Sequence, residues 1–183
     1  MPNLNLTLSR QHFLTTALAY LGTPYRWGGD DPSGFDCSGY VLECLKSAGL
    51  ICESEDLTAD KLLTRYSRCR IGTATFGALQ FLCDKSGHAY HVVICLDEQY
   101  QIGASGGNSA TLSPADAWRK NAYIKIRPIV WTERAVFVDP FQKESTRVNT
   151  GGIQRDGTQV SSGEEKSRLA LTTAQPPQDT HSG

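Results

Sequence analysis

The chain has 183 residues, 39% of them hydrophobic, which is enough for one domain with a buried core and too few for two full ones. With 18 basic residues against 19 acidic and a net charge of -1, no basic field argues for a nucleic-acid partner, and no basic run is interleaved with aromatics. No apolar run reaches membrane-spanning length, and the start, MPNLNLTLSRQHF, has neither a basic leader nor a long apolar stretch, so neither membrane insertion nor a secretory signal is expected.

Ser9 is placed to cap a first helix in which Phe13, Leu14, Ala17, Leu18 and Leu21 share one stripe, with Gly22 and Pro24 as its stop. His12 falls near its start, at the surface. From Leu21 to Gly39 the chain reads LGTPYRWGGDDPSGFDCSG, whose glycines and prolines predict an irregular loop. Asp36 is placed to cap a second helix, begun by Cys37 and running to about Ser47, with Tyr40, Val41, Cys44, Leu45 and Ala48 at helical spacing and Gly49 as its stop. Leu57, Leu62, Leu63 and Tyr66, with Thr58 and Asp60 as opening residues, predict a further short helix.

From about Phe76 the period changes. GALQFLCD, HVVICLD, QYQIGAS and YIKIRPIV are short runs rich in branched and aromatic residues, separated by turn residues. The first three links are too short for a crossover helix, so these runs predict antiparallel pairing. SPADAWRKN predicts a helical turn opened by Ser113 and Pro114, with Trp118 packing inward. A last strand is expected at Ala135 to Val138, and beyond it the composition turns polar. The fold class is therefore α+β: N-terminal helices packed on a mostly antiparallel sheet of about 4–6 strands. One domain, residues 1–138, is followed by a disordered polar tail, residues 139–183.

Six cysteines without a CxxC pair, in a chain long enough to need no staples, indicate a reducing compartment. Cys44, Cys83 and Cys95 sit in apolar runs and read as small buried hydrophobes, whereas Cys52 and Cys69 carry no assigned role. Cys37 differs. A glycine-rich run precedes it, the small residues Ser38 and Gly39 follow, and its place at a helix start faces it with unpaired N–H groups and the positive end of the helix dipole. Both favour the nucleophilic thiolate. His91, heading HVVICL, can leave the strand end and reach that helix start as a base, the alternative being a satisfied histidine at a sheet edge. His88 and His91 would make a metal pair only with a second cluster, and the GASGG glycines lack the Lys-Ser or Lys-Thr of a phosphate loop. No cofactor or metal is expected.

The block LGTPYRWGG followed by SGFDCSG, together with His91 to Ala104, resembles the NlpC-type family of papain-like cell-wall cysteine peptidases, over roughly Arg10 to Pro128. The resemblance implies hydrolysis of peptidoglycan stem peptides, commonly at the link from γ-D-glutamate to diaminopimelate or lysine. It implies that Cys37 is the nucleophile, His91 the base, Tyr25 a neighbour of the thiol that holds substrate or oxyanion, and Ser38 a substrate contact. Two positions depart from the family. A block that usually reads IHAS is IGAS here, putting Gly103 where a third polar residue would orient the imidazole. Gln101, Ser105, Asn108, a backbone carbonyl or a water are the substitutes on offer. A strand that usually reads GDLVFF is GALQFL, with Ala78 replacing an acid. Besides an active peptidase, the same sequence accommodates a weakly active or inactive binding module of a phage particle, or a related thiol amidase or acyltransferase. Synthesis in the cytoplasm is expected, with delivery in a virion beside phage tail proteins, at lysis or by a secretion machine.

Overall fold

In a computed structural model, which describes residues 4–142, the first helix, α1, spans Leu4–Ala19, so Ser9 lies inside it instead of capping it. Leu6 packs against the core and carries the helix back beyond the expected start. The buried stripe is narrower than expected. Phe13, Leu14 and Ala17 are buried, while Leu18 and Leu21 remain largely exposed. His12 is at the surface, as its position implied.

Regular structure also appears inside the glycine-rich stretch, where none was expected. Strands β1 (Asp30–Asp31) and β2 (Gly34–Phe35) form a small antiparallel hairpin. Its turn is held by the Asp31 carboxylate, which accepts from the Ser33 backbone N–H at 2.7 Å and from Arg26 at 2.7 Å. Such side-chain bonding to the local backbone lets a loop composition form a short ladder.

Helix α2 (Cys37–Ser47) starts and stops where capping chemistry placed it, with Asp36 accepting from the Gly39 N–H and Gly49 at positive φ beyond its end. It is fastened to α1 by the Tyr40 hydroxyl, which donates to the Ala17 carbonyl at 2.9 Å, and by Tyr20, whose hydroxyl donates to Glu43 at 3.0 Å. Tyr20, Phe35 and Tyr40 stack edge to face, joining both helices to the hairpin. Thr58 caps α3 (Ala59–Arg65), and Ala59, Leu62 and Leu63 are its buried residues.

The sheet has six strands: β3 (Arg70–Ile71), β4 (Leu79–Cys83), β5 (Ala89–Cys95), β6 (Tyr100–Ser105), β7 (Tyr123–Pro128) and β8 (Ala135–Val138). Their order is β3-β8-β4-β5-β6-β7 and every pairing is antiparallel. Short β3, unforeseen in the sequence, is recruited by the returning β8. Alternation divides the sheet into two faces. Leu79, Phe81, Val92, Ile94, Ile102 and Ala104 pack on the helices, whereas Ala78, Cys95, Ile129 and Phe137 form a smaller cluster on the other side. Ala78 is fully buried there, so the lost acid is replaced by apolar packing.

Helix α4 (Pro114–Arg119) carries a capping box between Ser113 and Asp116. Trp118 does not pack inward: it is 76% exposed, because so short a helix buries one position and Ala117 takes it. The boundary expected after Val138 is also too early. Phe141 is buried with its ring edge-on to Phe13, and Asp139 pairs with Arg10 at 2.9 Å. The remainder of the expected tail lies outside the described residues.

Candidate active site

Gly29 and Gly39 build the helix side of the site. A Cβ on Gly39 would lie 2.1 Å from the Gly29 carbonyl oxygen, and one on Gly29 would lie 2.2 Å from that of Gly34. Only hydrogen at these positions lets the hairpin seat on the first turn of α2. Asp36 then ties the pieces together. Its carboxylate accepts from the Gly28 N–H at 3.1 Å, the Gly39 N–H at 2.8 Å and the Ser38 hydroxyl at 2.9 Å. Cys37 follows as the first residue of the helix and is half-buried. Ser38 is thus part of the cap, with its hydroxyl donating to Asp36, and it lines the cleft.

On the sheet side, His91 is the third residue of β5 instead of its first, because the strand begins at Ala89. The Ala89 N–H donates to Asp60 of α3 at 2.9 Å, which anchors the strand start against the helices. Leu82 faces His91 while Cys83 faces Ala89, so Tyr90 is an extra, bulged residue immediately before the histidine. A bulge bends the strand and redirects the side chains beside it. Here it presents both Tyr90 and His91 to the cleft.

That cleft, about 430 Å³, is lined by Tyr25, Trp27, Cys37, Ser38, Tyr90 and His91, with Asp36, Asn108 and the start of α3 also on its wall. Cys37 and His91, 54 positions apart in sequence by their numbers, therefore border one space. The Tyr25 ring is clamped, since a Cβ on Gly107 would lie 2.1 Å from it and the Tyr25 N–H donates to the Ala122 carbonyl at 3.0 Å. Burial and the nearby Cys37 and Asp36 hold its phenol protonated, hence a donor.

Burial, reinforced by the Asp36 charge, pushes the Cys37 thiol up to about 11, against the pull of the backbone N–H groups of Val92, Ser38 and Cys37 itself. The helix start therefore does not make a standing thiolate, contrary to the sequence expectation: desolvation outweighs it. His91 is lowered below the usual histidine range by burial and by Arg127, with Asp36 opposing. Both shifts favour the neutral forms, thiol and imidazole, on the wall of one cleft. Such a pair can act by transferring the thiol proton as the sulphur attacks.

The candidates for a third residue separate. Asn108 lies on the cleft side, its side-chain carbonyl occupied by the Ala110 N–H and Lys120. Gln101 and Ser105 instead line a second cavity, which His91 also borders. Among the described residues none hydrogen-bonds the His91 imidazole. At Gly103, a Cβ would stand 2.5 Å from Val93 Cγ1, so Val93 occupies the space a side chain would need. Sequence reasoning missed Trp27, Tyr90 and Arg127. Trp27 lay in the quoted block and only its large exposed ring, at 53%, marks it as a rim residue.

A model described as the NlpC/P60 family matches residues 22–127. Protein P54 of Enterococcus faecium is 40% identical over 81 residues, 44% of this chain and 15% of that protein. The probable peptidoglycan endopeptidase LytE of Bacillus subtilis is 49% identical over 35 residues, 19% of this chain and 10% of LytE. The chain thus matches only a small part of the length of these relatives. Among solved structures, the NlpC/p60 domain of the peptidoglycan hydrolase SagA aligns with a TM-score of 0.50 at 27% identity, over 70% of this chain and 97% of that domain.

Proposed function

The chain belongs to the NlpC/P60 family, and from that premise we propose that it is a cysteine endopeptidase that hydrolyses peptidoglycan stem peptides. The observation that carries this reading is the meeting of Cys37, His91 and Tyr25 around one cleft. The names of LytE and of SagA support the same substrate class. In the proposed reaction the Cys37 sulphur attacks the scissile carbonyl while His91 takes its proton. The oxyanion that forms is met by N–H groups at the start of α2 and by the Tyr25 hydroxyl. His91 returns the proton to the leaving amine, and water then hydrolyses the thioester. The bond from γ-D-glutamate to diaminopimelate or lysine, and delivery by a phage particle, are finer parts of this proposal.

The test is digestion of purified peptidoglycan by the parent and by Cys37→Ala, with products identified by mass. New peptide termini at one bond, present with the parent and absent with the variant, support the reading. Equal cleavage by both sinks it. A binding module without turnover is the second reading, motivated by the unpartnered imidazole. It predicts no new termini and no preference for Cys37 over exposed Cys52 under a thiol electrophile.

A further inference from the structure

The cavity on the far side of His91, about 470 Å³, is lined by His91, Gln101, Ser105 and Arg127 beside Leu82 and Ile129, and Cys37 is not part of its wall. The β5–β6 register pairs Ile94 with Ile102 and Cys95 with Gln101. Carried outward, it sets Val93 across from Gly103 and His91 across from Ser105, in agreement with the 2.5 Å at which a Cβ built on Gly103 would stand from Val93 Cγ1. Gly103 therefore contributes no side chain, and Val93 blocks one.

The charge of this cavity is one-sided. Arg127 is its one charged side chain, no carboxylate lines it, and among the described residues Arg127 makes no ion pair. One Gln101 amide N–H is already committed to the Pro128 carbonyl at 3.0 Å. The Ser105 hydroxyl has only a long contact, 3.4 Å, to the Gly103 carbonyl and can be drawn to a better acceptor. A guanidinium fork, a hydroxyl and an imidazole N–H with no internal acid are matched by a planar anion with two oxygens.

We propose that this cavity binds a small carboxylate, held by Arg127 and Ser105, whose free oxygen accepts the His91 N–H and orients the imidazole toward Cys37. The ligand does from outside what a side chain at position 103 cannot do. It fixes one tautomer and stabilises the imidazolium formed when Cys37 gives up its proton. No covalent bond changes at the cavity. The carboxylate is free in solution or carried by the substrate, and either source presents the same chemistry. The inference rests on the proposed thiol reaction and concerns how its base is positioned.

The experiment follows Cys37 alkylation by iodoacetamide, read by mass at the Cys37 peptide, while acetate replaces chloride at constant pH and ionic strength. The parent is expected to alkylate faster in acetate, saturably and by roughly tenfold, the lower end of what partners that orient metal-bound imidazoles contribute. Arg127→Gln, an exposed substitution, is expected to lose that dependence. In a second arm, stem peptides with free and with amidated carboxyl groups are cleaved by both proteins. Slower cleavage of the amidated peptide by the parent, restored by acetate and absent in Arg127→Gln, identifies the substrate as the source. The proposal is overturned if neither acetate nor amidation changes the parent, or if Arg127→Gln responds equally, while cleavage still requires Cys37. Equal cleavage by parent and Cys37→Ala would instead remove the peptidase reading itself.

Discussion

On the helix side of the cleft the Asp36 carboxylate gathers three donors, from Gly28, Ser38 and Gly39, within a dozen residues of chain. On the strand side the His91 imidazole has no hydrogen-bond partner among the described residues and borders a cavity. The Cys37 thiol is therefore located by short-range bonding and backbone-to-backbone contact, and the His91 imidazole by strand register, a bulge and burial. The difference separates position from orientation: packing puts an imidazole in place, whereas tautomer and tilt need a directional partner.

The comparison breaks most visibly at the sulphur. Cys37→Ala is expected to lower stem-peptide cleavage by at least about 10³-fold with an unchanged melting temperature, since the small side chain leaves every Asp36 bond intact. Assays of peptide release and a thermal melt check both halves of that statement.

Gly39→Ala tests whether the helix side depends on close approach. Its Cβ would meet the Gly29 carbonyl oxygen, a backbone atom that cannot swing away, so a loss of about 3 kcal/mol in denaturant unfolding is expected. Asp36→Ala should cost less, about 2 kcal/mol, the upper end of the range for a lost N-cap because two backbone donors and Ser38 share the carboxylate.

On the strand side the corresponding probe is Gly103→Ala. The new methyl must displace the Val93 side chain that fills this space, so about 1 kcal/mol is expected, the low end for overpacking, and with Val93→Ala added the double variant should lose less than the sum of the single losses. A melt of the two single variants and the double variant measures the coupling.

The smallest effect is on the pH profile. Burial and Arg127 lower His91, so the imidazole stays neutral, and able to accept a proton, to a pH below the usual histidine value. The acid limb of kcat/KM should lie below that value in the parent and move up in Arg127→Gln, which removes one of the two causes. The Asp36 charge acts in the opposite direction, and its removal should shift the limb further down.

Much of the helix side was legible without coordinates. Asp36 as cap, Cys37 as first helical residue and Gly49 as stop follow from capping rules that act within a few positions, and α2 obeys them. Where local rules competed with tertiary contact, they misled. Ser9 is a good cap residue, yet Leu6 packs against the core and the helix began earlier. Trp118 is a strong core former on a helix with room to bury only Ala117. Asp139 and Phe141 looked like the start of a polar tail until Arg10 and Phe13 supplied partners from the other end of the domain.

The glycine spacing of the Cys37 block and the residue types at Cys37 and His91 are properties of the sequence by itself, because thiol, cap and close approach lie within one short run of chain. The pairing of Cys37 with His91, the bulge at Tyr90 and the cavity shared by His91 and Arg127 were decided only by the folded sheet. Each depends on register between strands distant in sequence. A shift of one residue there turns every side chain to the opposite face, and no local pattern specifies it.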